Sequence, residues 1–347
     1  MRTSKVINVL IVDDSVLFRS QIQQALKDIP EINVAGVSSN GQLALERMAS
    51  QDIDVCILDI EMPILDGIET LREMKTLNLK TRVIMFSSQS IFGADKTLEA
   101  LRMGAIDFVP KPISEASQNL PFLKIQEVLL PKILSLFPIL RPSKLQARIS
   151  DFNWHTFRPK VLVIASSTGG PNALVEFFKS LQDHVPFPIL IVQHMPALFT
   201  ASLAERLGAA CGKKAAEGIH GEPLLPNQIY VAPGNFHMRI GGDIISPIIQ
   251  IDQDAQRNFV RPCADHLFES AVKVFGRSTL GIVFTGMGRD GAEGANAIKT
   301  NHGAVLIQNL ESSVVFGMPG AVFESGHYDF SSDPQGLAKK TQDILWS

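Results

Sequence analysis

The sequence predicts two α/β domains in tandem, and three observations carry that reading. The chain has 347 residues, more than one average domain holds. Short runs rich in Val and Ile alternate with amphipathic segments of helix length, and the alternation occurs twice. Between the two series, prolines at 121, 131, 138, 142 and 159 punctuate a stretch without a strand pattern. The expected division is a first domain over 1–124, a linker over 125–157 whose apolar residues suggest that it packs, and a second domain over 158–347.

In the first series the strands are "VINVLIVD", "INVAGVSS", "DVCILDI", "RVIMFSS" and "DFVP". Helices are expected near 15–29, 41–50, 66–77 and 94–103, with a last helical stretch after the fifth strand. Five strands so separated imply a doubly wound five-stranded parallel sheet of flavodoxin-like type. The second series runs "KVLVIAS", a helix after Pro171, "PILIVQHM", a helix near 199–209, then strands around "NQIYVAPG" and "HMRIGGDIISPIIQI". A helix near 264–275, "LGIVFTGM", a helix near 291–300 and "AVLIQN" complete it. This is a mostly parallel α/β sandwich with a hairpin insertion near 229–251.

Composition excludes several classes of function. A hydrophobic fraction of 45% with 19% charged residues is ordinary for a globular protein. A formal net charge of -3 leaves no basic footprint, so nucleic acid is not an expected partner. Cys56, Cys211 and Cys263 lie far apart with no CxxC pair, which argues against a disulfide framework or a cysteine zinc site and fits a reducing compartment. The apolar run in "MRTSKVINVLIVDD" is too short for a signal peptide, and no run approaches the roughly 20 residues of a membrane helix. A cytoplasmic protein without membrane insertion is expected.

Ligands of parallel sheets bind beyond the carboxyl ends of the strands. In the first domain these ends carry Asp13, Asp14, Asp59, Ser87 and Lys111. Three carboxylates converging on one edge repel one another, and a hard divalent cation with oxygen ligands relieves this, so a magnesium site is predicted. Lys111 and Ser87 could hold the oxygens of a phosphoryl group that Asp59 accepts as nucleophile. A single aspartate at such a position is more often a cap or a turn residue. Five suitable groups in chain order are harder to explain that way. Through "IVDDS", "ILDIEMPILDG", "MFSS" and "GAIDFVPKP", residues 5–120 resemble the response-regulator receiver family. The resemblance implies that Asp59 is the phosphoacceptor and that Asp14, Asp59 and the backbone carbonyl of Glu61 hold Mg2+, with Asp13 helping through water. It further implies that Ser87 and Lys111 contact the phosphoryl oxygens, that Phe108 is the switch aromatic, and that a histidine kinase is the phosphodonor.

In the second domain Ser166, Ser167 and Thr168 follow one strand, His194 follows the next, and Asp290 follows "LGIVFTGMGR". A serine needs a base and the base needs an orienting carboxylate, and groups remote in sequence can meet above one sheet edge. The order Ser, His, Asp differs from that of α/β-hydrolases, and "ASSTG" lacks the glycine two positions before the serine that their elbow needs. Each residue also has a plainer reading, as a turn serine, a structural histidine or an N-cap, and a phosphate-cradling turn at "ASSTGG" lacks the GxGxxG spacing. DNA output would need a basic recognition helix, and 158–347 has no basic cluster.

The segments "ASSTGGP", "VQHMP", "YVAPGNFHM", "RPCADHLFESA", "FTGMGRDGAEG" and "VVFGMPGAV" resemble the catalytic domain of the chemotaxis protein-glutamate methylesterases, the CheB family. The resemblance implies hydrolysis of glutamate methyl esters on chemoreceptors, with release of methanol, and in some members deamidation of receptor glutamines. It assigns Ser167 as nucleophile, His194 as base and then acid, Asp290 as its orienting partner, and the backbone amides of Thr168 and Met287 as oxyanion donors. No cofactor is expected in the esterase site, and a monomer is expected. The family's receiver restrains the esterase until phosphorylation, so control through Asp59 is implied. Ala165, Cys263 and "QNLESS" depart from the family's glycine, serine and "QDE", and none of the three is expected to touch the catalytic three. The alternative reading is a catalytically silent module that binds receptors under phosphorylation control.

Overall fold

The computed structural model describes residues 6–112, 121–137, 152–181 and 184–346. It divides into two compact units, Met1–Arg141 and Pro142–Ser347.

The first unit alternates β1 Ile7–Val12, α1 Val16–Leu26, β2 Ile32–Ser38, α2 Gly41–Ser50, β3 Val55–Asp59, α3 Gly67–Thr76, β4 Arg82–Ser87, α4 Ile91–Met103, β5 Asp107–Pro110 and α5 Pro121–Ser135. All strand pairs are parallel, in the order β2-β1-β3-β4-β5. β3 is buried throughout, as a strand covered on both faces must be, and it reads as an unbroken apolar run up to Asp59. The helices start where side chains satisfy their first amides. Asn40 and Ser90 accept from Leu43 and Gly93, and Asp66 forms a capping box with Glu69. The Ser90 cap explains why α4 begins three residues before its expected start.

The linker expected from residue 125 does not begin there. Residues 125–135 continue α5, and Ile125, Leu129 and Ile133, spaced by four, are buried on one helix face. Lys132 pairs with Asp107, and the Arg82 guanidinium donates to the carbonyl of Leu136. Pro131 forfeits one backbone hydrogen bond inside this helix, and the apolar burial outweighs that loss. Residues 138–151, most of the remaining expected linker, lie outside the described residues.

The second unit contains β6 Val161–Ser166, α6 Gly170–Ser180, β7 Ile189–Gln193, α7 Phe199–Cys211, β8 Lys214–Glu217, β9 Gln228–Val231, β10 His237–Gly242, β11 Pro247–Asp252 and α8 Ala264–Phe275. It continues through β12 Thr279–Val283, α9 Ala292–Thr300, β13 Ala304–Gln308, α10 Met318–Ser325, β14 Phe330–Ser332 and α11 Pro334–Trp346. Seven strands form a parallel sheet in the order β14-β13-β12-β6-β7-β9-β8. The antiparallel hairpin β10–β11 is a separate sheet, and β9, expected inside the insertion, belongs to the main one. β6, β7, β12 and β13 are buried at every residue. On one face they meet Leu267, Phe268 and Ala271 of α8 with Met238 and Ile240 of the hairpin. Edge-to-face contacts of Phe177 with Phe178 and Phe284 add a second aromatic group. The central strands β12, β6 and β7 thus end side by side, and their following loops form one rim.

Replacing Leu129 by Ala should destabilise the first unit by about 2–4 kcal/mol, the usual result of truncating a fully buried leucine. Urea unfolding of the full chain checks this. A change below about 0.5 kcal/mol, the range of exposed positions, would mean that residues 125–135 are a linker after all.

Candidate functional site

The turn from β6 into α6 separates two adjacent hydroxyls. Ser166, the last residue of the strand, is fully buried, and its Oγ donates to Oε1 of Gln193 at 2.7 Å. Ser167 is half-buried, its amide donates to the carbonyl of Thr285 at 3.0 Å, and its own carbonyl accepts from Gly170 N at 2.7 Å and Gln193 Nε2 at 3.0 Å. The Ser167 hydroxyl has no hydrogen-bond partner among the described residues, so its backbone is fixed while its Oγ is free. Gly169 caps α6 with φ of 77°, a left-handed conformation that costs glycine little. Residues with a Cβ would also strike Val314 there.

His194 follows β7, beside the serine strand, and its amide donates to the carbonyl of Ser166 at 3.1 Å. Its Nε2 lies 2.8 Å from Oδ2 of Asp290. Asp290 is buried and sits on the amino terminus of α8. Ala264 N donates to Oδ2 at 2.7 Å, while Asp265 N at 3.1 Å, Gly291 N at 3.1 Å, Cys263 Sγ at 3.0 Å and Asn258 Nδ2 at 3.2 Å donate to Oδ1. Burial opposes its charge, but the bonds from His194, Cys263 and Ala264 more than compensate and hold the carboxyl well below the usual carboxylate range. An ionised carboxylate only accepts, so Nε2 of His194 donates to it and Nδ1 is the ring nitrogen left for another partner.

Asp265 is a second buried carboxylate in this cluster. Its Oδ1 accepts from Gly294 N at 2.7 Å and its Oδ2 from Asn258 at 2.8 Å. Burial, and then the charge of Asp290, push it up to about 6. Cys263, Asp265 and Asp290 are close enough to share a cation, yet every carboxylate oxygen already accepts from a protein donor. Burial and the adjacent Asp290 push the Cys263 thiol far up, so it remains a donor. This corrects the expectation that none of the sequence departures touches the three residues, because Cys263 bonds directly to Asp290.

The loop after β12 closes over the serine turn. A Cβ on Gly286 would lie 2.8 Å from Cβ of Ser167 and 2.3 Å from the Met318 sulfur, so only glycine fits. Met287 comes next, partly exposed, and its amide has no acceptor among the described residues. Thr168 is buried, and its carbonyl accepts from Thr285 Oγ1 at 3.0 Å. Ser167, His194, Asp290, Thr168 and Met287 therefore all lie on loops or turns at the carboxyl edge of one sheet.

The first unit has its own polar edge. Asp13 and Asp59 are buried, Asp14 is exposed, and one carboxylate oxygen from each lies within 4.8 Å of the others. Lys111 Nζ is 2.8 Å from Asp59 Oδ2 and 3.0 Å from Asp13 Oδ2. Asp59 Oδ1 accepts from Ile60 N at 2.7 Å, and Asp13 Oδ1 from Ser15 N at 2.8 Å. Burial pushes Asp59 up to about 6 and Asp13 adds to the rise, while Lys111 opposes it. Ser87 is buried, its carbonyl accepts from Lys111 N at 2.7 Å, and its hydroxyl has no partner among the described residues. Glu61 lines a surface pocket with Asp59, Ser88, Lys96 and Lys111, and its side chain is 3.7 Å from Lys96. Phe108 is buried on β5. The acidic trio fits a hard cation, and the unpartnered Ser87 hydroxyl beside Lys111 fits an incoming acceptor oxygen.

Sequence reasoning missed Gln193, Asn258 and Asp265. Gln193 had a signal, an amide at the buried end of a strand just before the histidine, where a polar side chain needs a partner. Asn258, in the loop after β11, and Asp265, in the first turn of α8, reach the cluster through long-range contacts, which spacing does not reveal.

Residues 162–341 match the family described as CheB methylesterase, and residues 9–119 match the response regulator receiver domain. The protein-glutamate methylesterase/protein-glutamine glutaminase of Nocardioides sp. is 39% identical over 331 residues, covering 92% of this chain and 90% of that one. The protein of the same description from Thermotoga maritima is 37% identical over 347 residues, covering 99% of this chain and all of its own length, 100%. The crystal structure of the Thermotoga maritima CheB methylesterase catalytic domain aligns with a TM-score of 0.52 at 36% identity, covering 55% of this chain and 99% of that chain. With the family matched over more than half of the chain, and a relative 37% identical matched over 99% of it, the chain belongs to the CheB methylesterase family.

Proposed function

We propose that the chain is a serine esterase that hydrolyses glutamate methyl esters on chemoreceptors and is controlled by phosphorylation of its receiver domain. The observation that carries this reading is the free Ser167 hydroxyl on a fixed turn, beside a histidine whose far nitrogen is committed to a buried carboxylate at 2.8 Å. In this reading Ser167 Oγ attacks the ester carbonyl and His194 Nδ1 takes its proton, while Asp290 stabilises the imidazolium. The amides of Thr168 and Met287 stabilise the oxyanion, each worth roughly 3–4 kcal/mol by analogy with other such donors. His194 then protonates the departing methoxide, methanol leaves, and water repeats the sequence to release a glutamate carboxylate and restore Ser167. A glutamine substrate follows the same path with ammonia leaving, which is the second activity that the relatives' names carry.

The receiver role rests on the acidic trio, Lys111 and Ser87. Asp59 attacks the phosphorus of a phosphohistidine, so a P–N bond breaks as a P–O bond forms, and a histidine kinase is the donor. Asp13, Asp14, Asp59 and the Glu61 carbonyl would hold Mg2+, which neutralises charge on the phosphoryl oxygens. Lys111 and Ser87 would contact those oxygens, and Phe108 would follow the change. We assign the receiver to residue 137, ten or more residues past the boundary expected from sequence, and the esterase to the second unit. Among the described residues no helix is long and apolar enough to cross a membrane.

Ser167→Ala should lower methanol release from methylated receptor membranes by several powers of ten, as loss of a triad serine does elsewhere. Ser166→Ala should retain the chemistry and instead cost about 1–3 kcal/mol of stability, because Gln193 loses a buried partner. The opposite pattern would move the nucleophile to Ser166. If the unsubstituted chain releases no methanol from methylated receptor, the silent binding module is the better reading.

Asp59→Asn should keep unstimulated hydrolysis and abolish its stimulation by a small phosphodonor such as acetyl phosphate. Stimulation retained by this variant would overturn control through Asp59.

A further inference from the structure

The loop between β11 and α8 ends in a turn that is strained, clamped and tipped by an exposed aromatic. Asn258 and Phe259 have φ of 56° and 62°, and Val260 N closes the turn onto the carbonyl of Arg257 at 3.1 Å. Two consecutive positive φ values define a type I′ turn, which favours Asn and Gly, and a phenylalanine at its second corner is a genuine outlier. The side chain gains no packing in return, because Phe259 is 97% exposed. Strain without compensating burial, at a site held from several sides, points to a role outside the fold.

The clamps tie this turn to the catalytic cluster. Asn258 donates to Asp290 and Asp265, Arg257 makes a two-pronged bond to Glu269 and reaches Glu293, and Arg261 bonds Asn235 and the carbonyls of Gln253 and Asp254. Both arginines are spent within the fold, so the tip offers apolar surface. Three more exposed apolar side chains stand on loops of the same rim. Leu198 follows His194 at the start of α7, Met287 follows the glycine packed on Ser167, and Val314 lies against Gly169.

We propose that Phe259 is a docking residue for the substrate chain, gripping an apolar strip on the receptor segment that flanks the esterified glutamate. The inference rests on the esterase reading above and deepens it by naming what holds the substrate. An ester carbon that reaches Ser167 brings its own backbone across these loops, so their exposed apolar groups meet the substrate whatever its sequence. A rigid aromatic loses little conformational freedom on binding, and the turn already fixes the backbone of this one.

The test is steady-state methanol release from methylated receptor membranes by the full chain, alongside hydrolysis of p-nitrophenyl acetate. Phe259→Ala should raise the receptor KM about tenfold with kcat changed less than twofold, and Phe259→Trp should restore it. Phe259→Gly should show the same rise in KM while melting at or above the wild-type temperature, since glycine relieves the turn. An unchanged receptor KM would overturn the proposal. So would a matching loss of p-nitrophenyl acetate hydrolysis, which would make the turn a mere support of Asp290, or dissociation of an oligomer on substitution, which would make a second copy the occupant. Failure of the esterase reading is distinct: the unsubstituted chain would then release no methanol from receptor at all.

Discussion

Asp290 is the constraint on which the second site depends. A buried carboxylate in isolation would be driven to its neutral form, and a neutral acid could neither fix the His194 tautomer nor stabilise an imidazolium. Here the carboxylate faces the amino terminus of α8, where Ala264 and Asp265 offer free amides and the helix dipole favours negative charge. Cys263, Asn258, Gly291 and His194 supply the remaining bonds. Under the esterase reading, the position of α8 is therefore a catalytic parameter. Its packing of Leu267, Phe268 and Ala271 against the sheet carries the core's rigidity into the site.

The same solvation problem is solved differently at the other polar edge. Among the described residues, Asp13 and Asp59 have few amide donors, and a single cation, Lys111, bridges them at 3.0 and 2.8 Å. Burial still holds Asp59 up near 6, so its charge is only partly compensated. The contrast follows the chemistry proposed for each. A carboxylate that orients a histidine must stay as it is through every turnover, and saturation with donors achieves that. A carboxylate that accepts a phosphoryl group must exchange partners, and incomplete solvation leaves room for them.

Much of both sites is legible in the sequence because parallel topology brings strand ends to one edge, and strand ends follow from apolar runs. That logic finds Asp59, Lys111, Ser167, His194 and Asp290 without knowledge of any contact. It fails where long-range pairing decides. Spacing cannot tell Ser166 from Ser167, since the difference is made by Gln193, 27 residues from Ser166. It treats Cys263 as a neutral departure, although the thiol bonds to an aspartate 27 residues on. Local composition fails too. The edge strands β8, "KAAE", and β14, "FSS", have too little apolar alternation to be read, and Pro131 disguises a helix that three buried aliphatic residues enforce.

Ser87 shows how a fold can hold a response in reserve. Its strand β4 pairs Phe86 with Asp59, and Ser87 with Pro110, so Ser87 sits on the strand between the one that ends in Asp59 and the one that leads to Lys111. A buried hydroxyl left without a partner costs about 1–3 kcal/mol. A phosphoryl oxygen on Asp59 would accept from it and recover that deficit only in the phosphorylated state. A tenfold shift between two conformations requires only about 1.4 kcal/mol of differential stabilisation, so a contact made in just one of them would be of the right size. Under the receiver reading, the unsatisfied hydroxyl is thus the part of the switch that is already set before the phosphoryl group arrives.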